Sequence, residues 1–214
     1  MPHVLVRDVP EDVHAALQRK AERRHQSLQQ YLAVELRHLA EQRSISEVLD
    51  EVEAQHGGRV GLQAAVATWT RNARGADRPG ERTVIVVDAS VLANALADDH
   101  ADGDAARGEL RAADQITAPD LVDVETASVL RKRWLARTLT DQRFEAAVGH
   151  LQQLRFERVP TLRLMRRAFE LRANVSAYDA CYVALAERLD CELITADGRL
   201  ATAPGPRCAI RVLR

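Results

Sequence analysis

Residues 83–90 read TVIVVDAS. Val84, Ile85, Val86 and Val87 form an unbroken β-branched run, the signature of a strand buried within a sheet rather than one facing water on alternate residues. Asp88 closes the run, where the chain leaves the sheet. A carboxylate at the mouth of an apolar core needs a reason. Taken alone, Asp88 reads as the N-cap of a helix starting at Ala89. It also stands where an open parallel sheet places its ligand crevice, beyond the carboxyl ends of the strands.

The rest of the chain divides around this strand. Residues 72–82, NARGADRPGER, carry Gly75, Pro79 and Gly80 and no apolar period, so they read as a linker. After it, strand-like and helix-like segments alternate, which predicts an α/β domain. Strands are expected at 83–88 and 115–118 and in CELITAD and CAIRVL. Helices are expected near 89–99, 103–113, from 120, and near 140–154, 162–173 and 177–189. The 214 residues are 46% hydrophobic and 29% charged, enough for a substantial core. A net charge of −1 points to no partner. Lys20 and Lys132 are the only lysines, so the many arginines are a compositional habit rather than a nucleic-acid signal. Cys181, Cys191 and Cys208 form no C-x-x-C pair and read as reduced thiols of a cytoplasmic protein. No apolar run suggests a signal peptide or a membrane span.

Before the linker, residues 3–9, HVLVRDV, read as one short strand. Val13, Ala16, Leu17 and Ala21 then follow helical spacing, as do Leu28, Leu32, Leu36 and Leu39. Ser27 and Gln30 form a capping box for the second helix. One strand and two helices cannot enclose a core, so this unit is expected to dimerise. Two further amphipathic pieces follow: Ile45, Val48, Leu49 and Val52, then Leu62, Ala65, Val66 and Trp69. Residues 44–58 hold four acids and no Lys or Arg, whereas residues 59–82 hold five arginines and two acids. This is the pattern of a strap for a partner groove, or of a plain connecting helix.

Four acids stand out in the α/β part. Asp88 and Asp197 end apolar strands. Glu125 shares a helical stripe with Leu121 and Val129, and Asp179 one with Tyr182, Val183 and Ala186. Three have a structural reading of their own: a cap for Asp88, S-x-x-D capping from Ser176 for Asp179 and a turn for Asp197; Glu125, on a core-facing stripe, needs a reason because an unpaired buried charge is costly. Asp120 and Asp123 read as a capping aspartate and its partner, and DDHADGD (98–104) as a solvated loop. Together, four carboxylates at one sheet edge would repel one another unless a cation joined them. Hard oxygen ligands suit Mg²⁺ or Mn²⁺, and a metal so held activates water against a phosphodiester.

VVDAS, VETASVLRK, SAYDACYVALAE and LITADGRL, in that order, resemble the PIN-domain toxins of VapC type over residues 83–214. The resemblance implies a central parallel sheet flanked by helices and a Mg²⁺- or Mn²⁺-dependent endoribonuclease. Its four acids fall on Asp88, Glu125, Asp179 and Asp197, and Ser90 supports the first acid from behind. VLVRDVPEDVHAALQRKAERRHQSLQQYL resembles ribbon-helix-helix antitoxins of the FitA and VapB kind. There, paired strands enter the DNA major groove. That implies His3, Leu5 and Arg7 facing operator DNA, with the helix start at Ser27 and Leu28 holding a phosphate. The implied organisation is residues 1–42 for DNA binding and dimerisation, 43–82 as a toxin-binding tail, and 83–214 as the nuclease. In the tail, Trp69 would anchor and Arg71 or Arg74 would enter the acidic site. The implied partners are RNA, operator DNA and a second copy, in a homodimer or a higher even-numbered oligomer, with no membrane. Such toxins and antitoxins are usually separate proteins, so their union in one chain departs from the pattern. The competing expectation is an autorepressor whose PIN domain is catalytically silent and serves assembly.

Overall fold

The computed structural model of the chain describes residues 6–41, 43–55 and 83–213. It comprises two compact units, Met1–Arg43 and Ser44–Arg214.

In the first unit, α1 (Glu11–Arg23) starts after Pro10 and carries Glu11 and Asp12 in its first turn, where acids favour the positive end of the helix dipole. A turn with His25 in the left-handed region (φ 53°) leads to α2 (Leu28–Glu41). The capping box forms: the N–H of Gln30 donates to Ser27 Oγ at 3.2 Å and the N–H of Ser27 to Gln30 Oε1 at 3.0 Å. Ala21 and Tyr31 are buried between the two helices. The expected strand at 3–9 is not formed over residues 6–9, since a lone strand has no ladder partner within one chain. His3 and Leu5 lie outside the described residues, and Arg7 is exposed.

The second unit begins with α3 (Ile45–Gln55), capped by Ser44, whose hydroxyl accepts from the N–H of Glu47 at 3.2 Å. Strands β1 (Val84–Val87), β2 (Gln115–Pro119), β3 (Glu157–Val159), β4 (Glu192–Thr195) and β5 (Ile210–Val212) form one sheet in the order β3-β2-β1-β4-β5. Every pairing is parallel. The helices that matter for the site are α4 (Ala89–Ala97), α5 (Ala101–Ala112), α6 (Val122–Leu135), α7 (Asp141–Gln153), α8 (Met165–Glu170), α9 (Ala177–Leu189) and α10 (Gly198–Thr202). β1 is central, and its Val86 and Val87 are fully buried, as the apolar run requires.

Helix α3 does not stand apart from this domain. Val48, Leu49 and Val52 have no exposed surface and belong to the same core cluster as the sheet. Its acidic face meets basic side chains: Arg111 reaches Asp50 at 2.7 Å and Glu53 at 2.6 Å, and Arg107 reaches Glu53 at 3.3 Å.

The structure corrects several local expectations. Residues 101–104 of DDHADGD are the first turn of α5, and Asp104 pairs with Arg107 at 2.6 Å. Asp120 does not cap α6. It accepts from the N–H of Thr161 at 3.0 Å, and Asp123 pairs with Arg158 at 2.7 Å. The helix near 162–173 is a 3₁₀ turn (Thr161–Arg163) followed by the short α8. The three cysteines are free thiols.

Candidate active site

All four acids line one cleft of about 350 Å³ at the carboxyl edge of the sheet, together with Ser90, Ser128, Lys132, Tyr182 and Arg199. Each is placed by the start of a helix or the end of a strand, and each is held by a partner of its own.

Asp88 follows β1 and N-caps α4. Oδ1 accepts from the N–H of Ser90 at 2.8 Å and of Val91 at 3.3 Å, and from the Ser90 hydroxyl. Oδ2 accepts from the Thr195 hydroxyl. Capping and site roles therefore coexist in one carboxylate. It is 8% exposed, and burial pushes its pKa up against the opposing pull of these hydrogen bonds.

Glu125 lies in the first turns of α6, and the Tyr182 hydroxyl donates to its Oε2 at 2.6 Å. Burial raises its pKa first. The Tyr182 bond opposes this, and the negative charges of Asp179 and Asp88 add to the rise. Asp179 is in the first turn of α9, where its N–H donates to Ser176 Oγ at 3.1 Å and its Oδ2 accepts from the Ser176 hydroxyl at 2.7 Å. Asp197 N-caps α10 and is gripped by Arg199, Nη2 to Oδ2 at 2.8 Å. That hydrogen bond draws its pKa below the ordinary value.

Thr195 ties the first and last acids together. Its hydroxyl donates to Asp88 and accepts from the N–H of Asp197 at 2.9 Å. Ser90 does similar work, donating to Asp88 while accepting from the N–H of Ala196 at 2.9 Å.

The donor chemistry suits a hard divalent cation: four carboxylates around one cleft, with like charges that a dication would relieve. Among the described residues, no three His, Cys, Asp or Glu groups stand close enough to hold one ion. Asp197 is engaged by Arg199 and Glu125 by Tyr182.

Residues 85–206 match the PIN domain family, more than half of the chain. The chain belongs to the PIN-domain family. Residues 2–40 match the FitA-like antitoxin ribbon-helix-helix family, so the chain joins an antitoxin-type segment to a PIN domain. The PIN domain is similar to Ribonuclease VapC1 of Mycobacterium tuberculosis, 41% identical over 130 residues that span 60% of this chain and 97% of that protein. Ribonuclease VapC9 of the same organism is 43% identical over 130 residues, 61% of this chain and 98% of its own. Among solved structures, PAE2754 from Pyrobaculum aerophilum aligns with a TM-score of 0.42 and 26% identity, over 60% of this chain and 83% of that one.

Sequence reasoning reached the four acids and Ser90 of the PIN domain but missed Thr195, Tyr182, Lys132 and Arg199. Lys132 was within reach: it falls seven residues after Glu125, hence on the same face of α6. Trp69, Arg71 and Arg74 lie outside the described residues. At the antitoxin-type segment, Ser27 is exposed and Leu28 half-buried at the start of α2.

Proposed function

We propose that the chain is a toxin–antitoxin fusion whose PIN domain is a Mg²⁺- or Mn²⁺-dependent endoribonuclease, restrained by its own N-terminal part. The observation that carries this reading is the single cleft lined by Asp88, Glu125, Asp179 and Asp197. These residues would hold the metal, which when bound supplies an activated water and neutralises charge on the phosphodiester. The chain's own groups do the rest. Ser90 and Thr195 fix Asp88 at the end of β1. Lys132 and Arg199, cations on the cleft wall, face the anionic RNA backbone and contribute to binding it.

Restraint is assigned to residues 43–82. Helix α3 already occupies an apolar face of the PIN domain and meets it through Arg107 and Arg111, which supports a strap. The basic part that follows, with Trp69 as anchor and Arg71 or Arg74 as the charge directed at the acids, completes it. A guanidinium matches a carboxylate in a two-pronged fork and substitutes for metal charge. Residues 1–42 bind operator DNA as a dimer, with His3, Leu5 and Arg7 on the reading strand and the α2 start at Ser27 and Leu28 on a phosphate. The assembly is then a homodimer or a higher even-numbered oligomer. Its place is the cytoplasm, where its free thiols stay reduced.

The test is cleavage of total RNA by the full chain and by an Arg71→Ala, Arg74→Ala chain, each with and without Mg²⁺. Metal-dependent cleavage that rises in the double variant supports both parts of the reading. No cleavage from either chain, with the fold intact, rejects it and favours the silent-PIN alternative.

A further inference from the structure

We infer that Tyr182 is a positioning residue of the acidic site, one phenol that ties Glu125 to the helix carrying Asp179. The inference rests on the metal-dependent reading above and deepens it.

Tyr182 lies on α9 three residues after Asp179, so the two share one helix face. It is only 1% exposed, and its hydroxyl donates to Glu125 Oε2 on α6 at 2.6 Å. Ala89, the residue directly after Asp88, lines the same cleft as Tyr182. Two elements that each deliver an acid therefore meet at one hydroxyl. A phenol has a single proton to donate, and here it goes to Glu125.

The chemistry explains why a tyrosine stands there rather than a phenylalanine. An otherwise apolar helix face gains nothing from an unpaired hydroxyl, which is costly to bury. A half-buried glutamate with a long, rotatable side chain gains a fixed orientation. One carboxylate oxygen is engaged by the phenol, leaving the other for an ion. Partners of this kind orient a ligand without touching the metal, and losing one typically costs about 10–100-fold in metal affinity or activity.

The experiment measures Mn²⁺ binding to the full chain by calorimetry, for the parent, Tyr182→Phe, Glu125→Ala and the double variant. Thermal melting of each is recorded beside it. Tyr182→Phe should weaken Mn²⁺ binding by about 10–100-fold. In the Glu125→Ala background the same change should have no further effect, because the two act as one unit. Equal Mn²⁺ affinity for the parent and Tyr182→Phe overturns the proposal. So does an equal loss in both backgrounds, which would mark Tyr182 as a packing residue only. A parent that binds no Mn²⁺ removes the metal-dependent reading itself, a result distinct from the other two.

If Tyr182→Phe melts early, the ring-carbon resonance bearing the hydroxyl of ¹³C-labelled Tyr182 decides in the otherwise intact site. It should move on Glu125→Gln substitution and broaden on Mn²⁺ addition. A resonance indifferent to both overturns the proposal.

Discussion

Arg199 closes a two-pronged grip on Asp197, with Nη2 at 2.8 Å from Oδ2 and Nε at 3.1 Å from Oδ1. The fourth acid of the cleft is therefore satisfied by a cation two residues along its own chain. Arg199 is itself highly exposed (side chain 92%), so this grip competes only weakly with any ion or phosphate that enters. Replacing Arg199 with alanine should free Asp197 and strengthen Mn²⁺ binding modestly, about two- to fivefold, the scale of an exposed ion pair. The same change should weaken RNA binding, most visibly at low salt. Calorimetry with Mn²⁺ and a salt titration of RNA affinity check both directions.

The strap helix carries a stability prediction. Leu49 is fully buried in the core that holds the sheet. Leu49→Ala should destabilise the second unit by about 2–5 kcal/mol, the usual cost of such a cavity. Urea denaturation of a chain spanning 44–214 measures it. A chain starting at Thr83 lacks α3 altogether and should unfold at lower urea than one starting at Ser44. Equal midpoints would mean that α3 rests on the domain without contributing to it.

Acid sensitivity is expected from the far end of α9. Arg167 holds Glu187 through Nε at 2.6 Å and Nη2 at 3.0 Å, and also reaches the carbonyl of Gly205. The Arg167 hydrogen bond leads the causes that hold the Glu187 carboxyl below its ordinary pKa. A depressed carboxyl stabilises the fold above its unfolded pKa, and that stabilisation is lost as pH falls through the folded one. Glu187→Gln should therefore cost about 1–3 kcal/mol at neutral pH and progressively less as pH drops below about 4. Urea midpoints for the parent and the variant should converge on acidification. A constant gap across pH would show that the charge is not what matters.

The sequence was most legible where one residue carries both pattern and position. Asp88 and Asp197 sit at the ends of apolar strands, and both line the cleft. Ser27 with Gln30, and Ser176 before Asp179, are local capping signals, and both form. What escaped was non-local. Thr195 matters because the fold sets β4 beside β1, bringing its hydroxyl to Asp88 across 107 positions of sequence. Tyr182 read only as an apolar neighbour of Asp179, since no spacing announces a bond to Glu125, 57 residues earlier. β3 has three residues and α10 five, too few for a period to emerge. The cap expected from Asp120 failed because Thr161, brought alongside by the sheet, took its carboxylate first.

Asp88→Asn is the decisive test of whether the acidic cleft cleaves RNA with a divalent metal. Asparagine keeps the N-cap of α4, so the fold should persist by circular dichroism and melting. The measurement is the rate of RNA cleavage with Mg²⁺, in the Arg71→Ala, Arg74→Ala background so that the tail charges do not mask it. This background should cleave RNA only with metal, and Asp88→Asn should lower the rate by about a hundredfold or more, beyond what loss of an outer partner costs. A folded Asp88→Asn chain that cleaves at the parent rate, or cleavage indifferent to removal of metal by a chelator, would contradict it.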